Sequence, residues 1–247
     1  MTALLETYSD LVAKLKVSER DHLRYTECLI RQLEILLTNE PEEEVRQAFL
    51  YFIINNYPDI LKSLVDIIIE HHDVDIAILK KPNDSNFNPT RTPLLLIEVK
   101  RNDVNLRDHQ AQLTKYMTEL RCSRGALFNF TEILIYEKTS ITYELCKVFD
   151  HLDTFIRYIS SAASEEDGDL EAFYMACNGN FDAFRHLTTK YKYSRATFVI
   201  QEYAASIEGF IFSYNGDEVF YDRVGHYAKK KHKFVSSHFI KLLSLID

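Results

Sequence analysis

Leu94-Leu95-Leu96-Ile97-Glu98-Val99-Lys100 is an unbroken apolar run that acquires two charges at its C-terminal end. A run of this kind, with no polar alternation, predicts a strand buried on both faces. Side chains alternate along a strand, so Leu94, Leu96, Glu98 and Lys100 share one face. Charges on a covered face are costly unless they are paired or hold an ion. Upstream, Val74-Asp75-Ile76-Ala77-Ile78 is a second apolar strand interrupted by one acid. If the two strands are neighbours, Asp75 and Glu98 converge. Two carboxylates with a backbone carbonyl and waters make an oxygen-rich site suited to Mg²⁺ or Mn²⁺. Lys100 beside them would orient an attacking water or steady charge growing on a phosphate. A strand-end salt bridge at the sheet rim uses the same three residues, and taken alone they leave both readings open.

The surroundings predict the rest of the sheet. Val65 to Glu70 and Val74 to Leu79 are rich in β-branched residues and flank His71-His72-Asp73, which reads as a hairpin or two sequential strands, with turn or strand histidines rather than zinc ligands. Lys81 to Pro89 is a loop, His109 to Leu120 an amphipathic helix, and Gly125 to Phe130 and Ile133 to Tyr136 two further strands. Asn39-Glu40-Pro41-Glu42-Glu43-Glu44 starts a helix, with Pro and acids in the first turn where the dipole favours negative charge. This order of helices and strands gives an α/β fold, a mixed sheet covered by helices.

Outside that core, Leu4, Leu5, Tyr8, Leu11 and Leu15, then Leu29, Ile30, Leu33, Leu36 and Leu37, recur at helical spacing, predicting a helical hairpin over residues 1–38. The core is expected over 39–160. Ser160 to Gly168, small and polar, reads as a boundary, and 165–247 as an α+β accessory region that senses substrate or mediates oligomerisation. Within it, Leu170 to Tyr191 predicts two helices broken at Asn178-Gly179-Asn180, and residues 196–221 predict strands with an Asn215-Gly216 turn.

The 247 residues carry a net charge of −8, which excludes a uniformly basic nucleic-acid coat and leaves phosphate contact to a local patch. Lys229, Lys230, Lys231 and Lys233, interleaved with aromatics, are the candidate, with a solvated helix face as the plainer reading. None of the four cysteines forms a C-x-x-C pair, so a zinc knuckle is not expected. Glu6 and Asp10 interrupt any signal-peptide core, and no apolar run approaches the ~18 residues of a membrane span. A cytoplasmic protein is the expectation.

Asp75 followed by Glu98-Val99-Lys100 resembles the signature of the PD-(D/E)XK nucleases. The surrounding text is most similar to the N-terminal nuclease domain of type I restriction enzyme R subunits and their stand-alone relatives. The matching pieces are Pro41 to Gln47, Asp75 to Ile78, Pro93 to Lys100, Gln112-Leu113-Thr114-Lys115-Tyr116, and Gly125 to Phe130 with Ile135-Tyr136. Five pieces in order are far more specific than E-x-K alone. The resemblance implies a restriction-endonuclease-like core, Asp75 and Glu98 as Mg²⁺ or Mn²⁺ ligands, and Lys100 as the catalytic lysine. It places the first-helix acid on Glu43, with Glu44 as rival and Glu42 third, and it puts Gln112 and Tyr116 beside the site, engaging DNA. Val74 stands where the signature has Pro, and no G-x-x-x-x-G-K-[ST] motif of a helicase motor occurs. The expected function is metal-dependent DNA endonuclease activity, in genome defence or mobile-element biology, with a homo-oligomer or targeting partner. A catalytically idle nuclease fold that docks DNA or a protein is the alternative.

Overall fold

The computed structural model describes residues 3–81, 92–164, 168–191, 210–215, 218–223 and 232–243. The chain divides into two compact units, Met1–Lys81 with Thr92–Glu165, and Pro82–Arg91 with Glu166–Asp247.

The first unit is built on a six-stranded mixed sheet in the order β4 (Val65–His71), β5 (Val74–Lys80), β6 (Leu95–Val99), β7 (Arg124–Asn129), β8 (Glu132–Lys138) and β9 (Tyr143–Phe149). All neighbours are antiparallel except β6 and β7, which run parallel. A parallel pair needs a crossover, and here it is helix α4 (Gln110–Glu119) after a single 3₁₀ turn at Leu106–His109. The period of two assigns each strand residue to a layer. Ile76, Ile78, Ile97, Val99, Ala126, Phe128, Ile133 and Ile135 pack with α1 (Ala3–Val12), α2 (Pro41–Asn56) and α5 (Leu152–Ser164). Ala77, Leu79, Leu96, Leu127 and Leu134 face the other way, onto Leu106, Leu113 and Met117. Every residue of β6 is buried, which is why its sequence shows no alternation.

Helix α2 begins with Pro41 at its first position and Glu42, Glu43 and Glu44 in the first turn. It buries Phe49 completely against Phe128 and Phe155, with ring centroids 5.2 and 5.9 Å away. Withdrawing such a ring from water is worth roughly 2–3 kcal/mol. A short helix, α3 (Pro58–Ser63), leads into β4, and Lys81 at the end of β5 donates to the carbonyls of Leu61 (2.5 Å) and Lys62 (3.1 Å). Lys81 therefore closes the end of α3. The β4–β5 turn is His72-Asp73, both at positive φ (52° and 68°), a two-residue hairpin turn of the primed kind. On β7, Gly125 lies beside Leu96 near the start of β6 and leaves room for α4. A Cβ there would come within 2.5 Å of the Met117 sulfur.

Residues 1–38 correct the expected helical hairpin. Only α1 is helical. Beyond it lie β1 (Val17–Arg20), β2 (Leu23–Glu27) and β3 (Glu34–Leu36), an antiparallel sheet. Asp21 and His22, at φ 51° and 63°, make the β1–β2 turn, and Asp and His tolerate that region better than most residues. Strands of three to five residues are too short for their period of two to show against a coincidental helical spacing. Ser160 to Ser164, expected as the start of a boundary, form the last turn of α5, where Ala162 and Ala163 are buried.

In the second unit, α6 (Asp169–Cys177) and α7 (Phe181–Tyr191) are the expected helix pair, separated at Asn178-Gly179-Asn180. The strand β10 (Phe210–Asn215) pairs with β11 (Glu218–Arg223), which pairs with β12 (His232–Lys233), and α8 (Ser236–Leu243) follows. Its core gathers Phe184, Phe234 and Phe239. Residues 196–209 and the Gly216 turn lie outside the described residues.

Candidate active site

The site forms where β5 begins and β6 ends. In the β5–β6 register Ile76 faces Ile97, so the next step of the ladder sets Asp75 opposite Glu98. The Val99 N–H donates to Asp75 Oδ2 at 2.8 Å, fixing that juxtaposition. Lys100, just past the strand, donates from Nζ to Glu98 Oε1 at 2.8 Å. Both side chains are almost fully buried, at 7% and 4% exposure. From α4, Gln112 Nε2 donates to the same Glu98 Oε1, and it also lies 3.4 Å from the Tyr116 hydroxyl. The i, i+4 spacing thus puts Gln112 and Tyr116 together on the helix face above Glu98. Asp75, Glu98, Lys100, Gln112 and Tyr116, separated by up to 41 positions, are in one cluster.

The acids of α2 divide differently from the expectation. Glu42 is the one whose carboxylate approaches Lys100, at 3.8 Å, and it is 44% exposed. Glu43 instead pairs with Arg46 and accepts from Gln47 Nε2 at 2.8 Å. Glu44 accepts from the Tyr8 hydroxyl (2.7 Å) and pairs with Arg24 (3.0 Å). Of the three acids Glu42, and not the expected Glu43, is the one beside Lys100. Three consecutive acids fan out around a helix by about 100° each, and sequence alone does not say which spoke meets the sheet.

Arg46 and Glu70 escaped the sequence reading. Arg46 lies on the buried stretch of α2 and is 6% exposed. Its guanidinium donates to Asp75 Oδ1 (3.1 Å), to Glu70 Oε1 (3.1 Å) and to Glu43. Arg31 pairs with Glu70 from the N-terminal sheet's β2–β3 connection. The available signal was a cation on an otherwise apolar helix face, one turn after the acids.

Burial governs the electrostatics. Desolvation, then the neighbouring charge of Asp75, pushes the Glu98 carboxyl up to about 7 despite the Lys100 hydrogen bond. Asp75 is also raised, chiefly by burial, against the pull of the Val99 N–H, Arg46 and Lys100. Burial works against the Lys100 ammonium, yet the bond to Glu98 and the charges of Glu98, Glu42 and Asp75 outweigh it and raise its pKa.

Glu98 Oε2 is buried and has no hydrogen-bond partner. A buried carboxylate oxygen left without a donor is costly, and beside a second carboxylate it fits a cation. Among the described residues, no three or more His, Cys, Asp and Glu side chains form a ready-made cage. Mg²⁺ takes one or two carboxylates and fills its other positions with water and phosphate oxygens. Asp75 and Glu98 are the two carboxylates that face each other here.

Residues 41–148 match the family of the type I restriction enzyme R protein N terminus. The matched segment runs from α2 into β9 and contains Glu42, Arg46, Glu70, Asp75, Glu98, Lys100, Gln112 and Tyr116. The match is to a restriction-related family. The N-terminal sheet that supplies Arg31 and the Glu166–Asp247 part of the second unit lie outside the matched segment. No curated protein and no solved structure matches the chain.

Of the expected basic patch, Lys229, Lys230 and Lys231 lie outside the described residues. Lys233, on β12, pairs with Glu218 on β11. No helix among the described residues is long and apolar enough to cross a membrane.

Proposed function

We propose that the R N-terminal segment is a restriction-endonuclease-like DNA nuclease in which Asp75 and Glu98 hold one Mg²⁺ or Mn²⁺. The observation that carries this reading is the orphaned Glu98 Oε2, buried opposite Asp75 with Lys100 at its side. The bound ion supplies Lewis acidity and neutralises charge on the scissile phosphate. Glu98 is held by two donors on one oxygen, Lys100 Nζ and Gln112 Nε2, which leaves Oε2 committed to the ion. Lys100 is protonated at neutral pH, so it acts as a hydrogen-bond donor and a positive charge rather than as a base. It orients the attacking water or steadies the negative charge that develops on the phosphate. Glu42, open to solvent and within 3.8 Å of Lys100, is placed to accept the proton of that water.

The charges agree. Glu42, Glu43, Glu70, Asp75 and Glu98, ionised, face Arg31, Arg46 and Lys100, leaving an excess of two negative charges for one divalent ion. Supercoiled plasmid incubated with Mn²⁺ is expected to be nicked or linearised, and EDTA, Asp75→Ala or Glu98→Ala should abolish cutting. Equal cleavage by the two variants would remove these residues from the reaction. DNA retained by them without turnover, together with an inert wild type, would favour the docking reading instead.

A further inference from the structure

The strand registers set not two but three acids in one row. On β4, Ile69 faces Ile76 and His71 faces Val74, which leaves Glu70, at a break in the regular pairing, level with Asp75, as the next step of the β5–β6 ladder sets Asp75 opposite Glu98. The row Glu70, Asp75, Glu98 has two gaps, each one strand spacing wide. Like charges directly opposite each other repel, and each gap calls for a cation. The gap between Glu70 and Asp75 already has one. Arg46 donates into it from both terminal nitrogens, at 3.1 Å to each acid, and Glu43 closes over it from α2. Glu70 is held there with its backbone at a positive φ of 53°, a strained setting for a glutamate. Between Asp75 and Glu98 there is no guanidinium; Lys100 Nζ bonds Glu98 Oε1, and Glu98 Oε2 is buried without a partner.

We infer that Arg46 is a resident cation occupying the place a second metal ion would take, so that this site binds a single divalent ion. The inference rests on Asp75 and Glu98 being the metal ligands. Asp75 serves both gaps. Each of its oxygens has spare lone-pair capacity, Oδ1 beyond the Arg46 bond and Oδ2 beyond the Val99 N–H. Arg46 is accordingly a positioning residue. It touches no reacting atom, fixes Asp75, and excludes a second ion by charge and by volume. Its fork matches the two-acid geometry, which a point charge such as lysine does not.

The test is the stoichiometry of Mn²⁺ binding to the full chain without DNA, by calorimetry and by EPR of the free ion. Wild type is expected to bind one ion per chain, and Asp75→Ala or Glu98→Ala to weaken that binding at least tenfold. Arg46→Met, which removes the charge at similar length, should bind a second, weaker ion. That variant should melt lower than wild type in EDTA and recover with Mn²⁺. Adding Glu70→Gln to Arg46→Met should abolish the second site. Two ions in wild type would overturn the inference while leaving the nuclease reading intact, as would a folded Arg46→Met that binds only one. The wild-type count decides even if the variant does not fold. No binding by wild type, unchanged in Asp75→Ala, would sink the metal reading and this inference together.

Discussion

Lys100→Met separates the electrostatics of the site from its packing. The Lys100 ammonium bonds Glu98 at 2.8 Å, with both side chains less than 8% exposed. Removing one partner of a buried pair costs about 3–5 kcal/mol when the other stays charged. Glu98 need not stay charged. Its pKa is raised from 4.5 to about 7, so below pH 6 it is neutral in the folded wild type. The folded state holds that proton more tightly than the unfolded chain does, so metal-free stability declines as pH climbs from about 4.5 to about 7. Without Lys100 the Glu98 pKa rises further, and each unit of rise adds about 1.4 kcal/mol of loss above the wild-type pKa. Lys100→Met should therefore cost about 3 kcal/mol at pH 8.5 and only about 1 kcal/mol at pH 5.5. For a unit of this size that is about 6–12 °C in Tm at the higher pH and 2–4 °C at the lower. Thermal melts in EDTA at the two pH values measure it directly. An equal Tm loss at both would mean that Lys100 acts through packing of its stem, and that Glu98 does not carry the charge assigned to it.

Two further outcomes follow from the same geometry. The Glu98 proton must leave before an ion binds, so apparent Mn²⁺ affinity should climb up to tenfold per unit as pH rises toward 7 and flatten above it; a pH-independent affinity by calorimetry would exclude Glu98 as a ligand. Asn129→Ala should cost about 3 kcal/mol in urea unfolding, because the fully buried amide donates to the Arg101 and Val104 carbonyls (3.2 Å each) and accepts from the Thr131 and Glu132 N–H groups; a loss under 1 kcal/mol would show that the segment after Lys100 is held by other contacts.

The core was legible because its chemistry is written in periods. β6 reads as a buried strand since every residue is apolar until Glu98, and Asp75 stands out for the same reason. The i, i+4 placing of Gln112 and Tyr116 gave their shared face. What sequence does not encode locally is the approach of α2 to the sheet. Whether Glu42, Glu43 or Glu44 meets Lys100 depends on the rotation of that helix, set by Phe49 and Ile53 in the core. Arg46 looked like one polar residue among neighbours, and its role appears only when β4 and β5 place Glu70 across from Asp75. The N-terminal sheet was hidden because its strands are short and exposed, and because its decisive turn, Asp21-His22, lacks the Asn-Gly signature. The strand β9, at the edge and largely exposed, offered no apolar alternation to find.

The central claim is tested most directly by anomalous scattering from crystals soaked in Mn²⁺. A single peak between the Asp75 and Glu98 carboxylates, with Lys100 still on Glu98 and Arg46 still on Asp75, is the predicted result. No peak there at millimolar Mn²⁺, or density only at residues remote from this pair, would contradict the account.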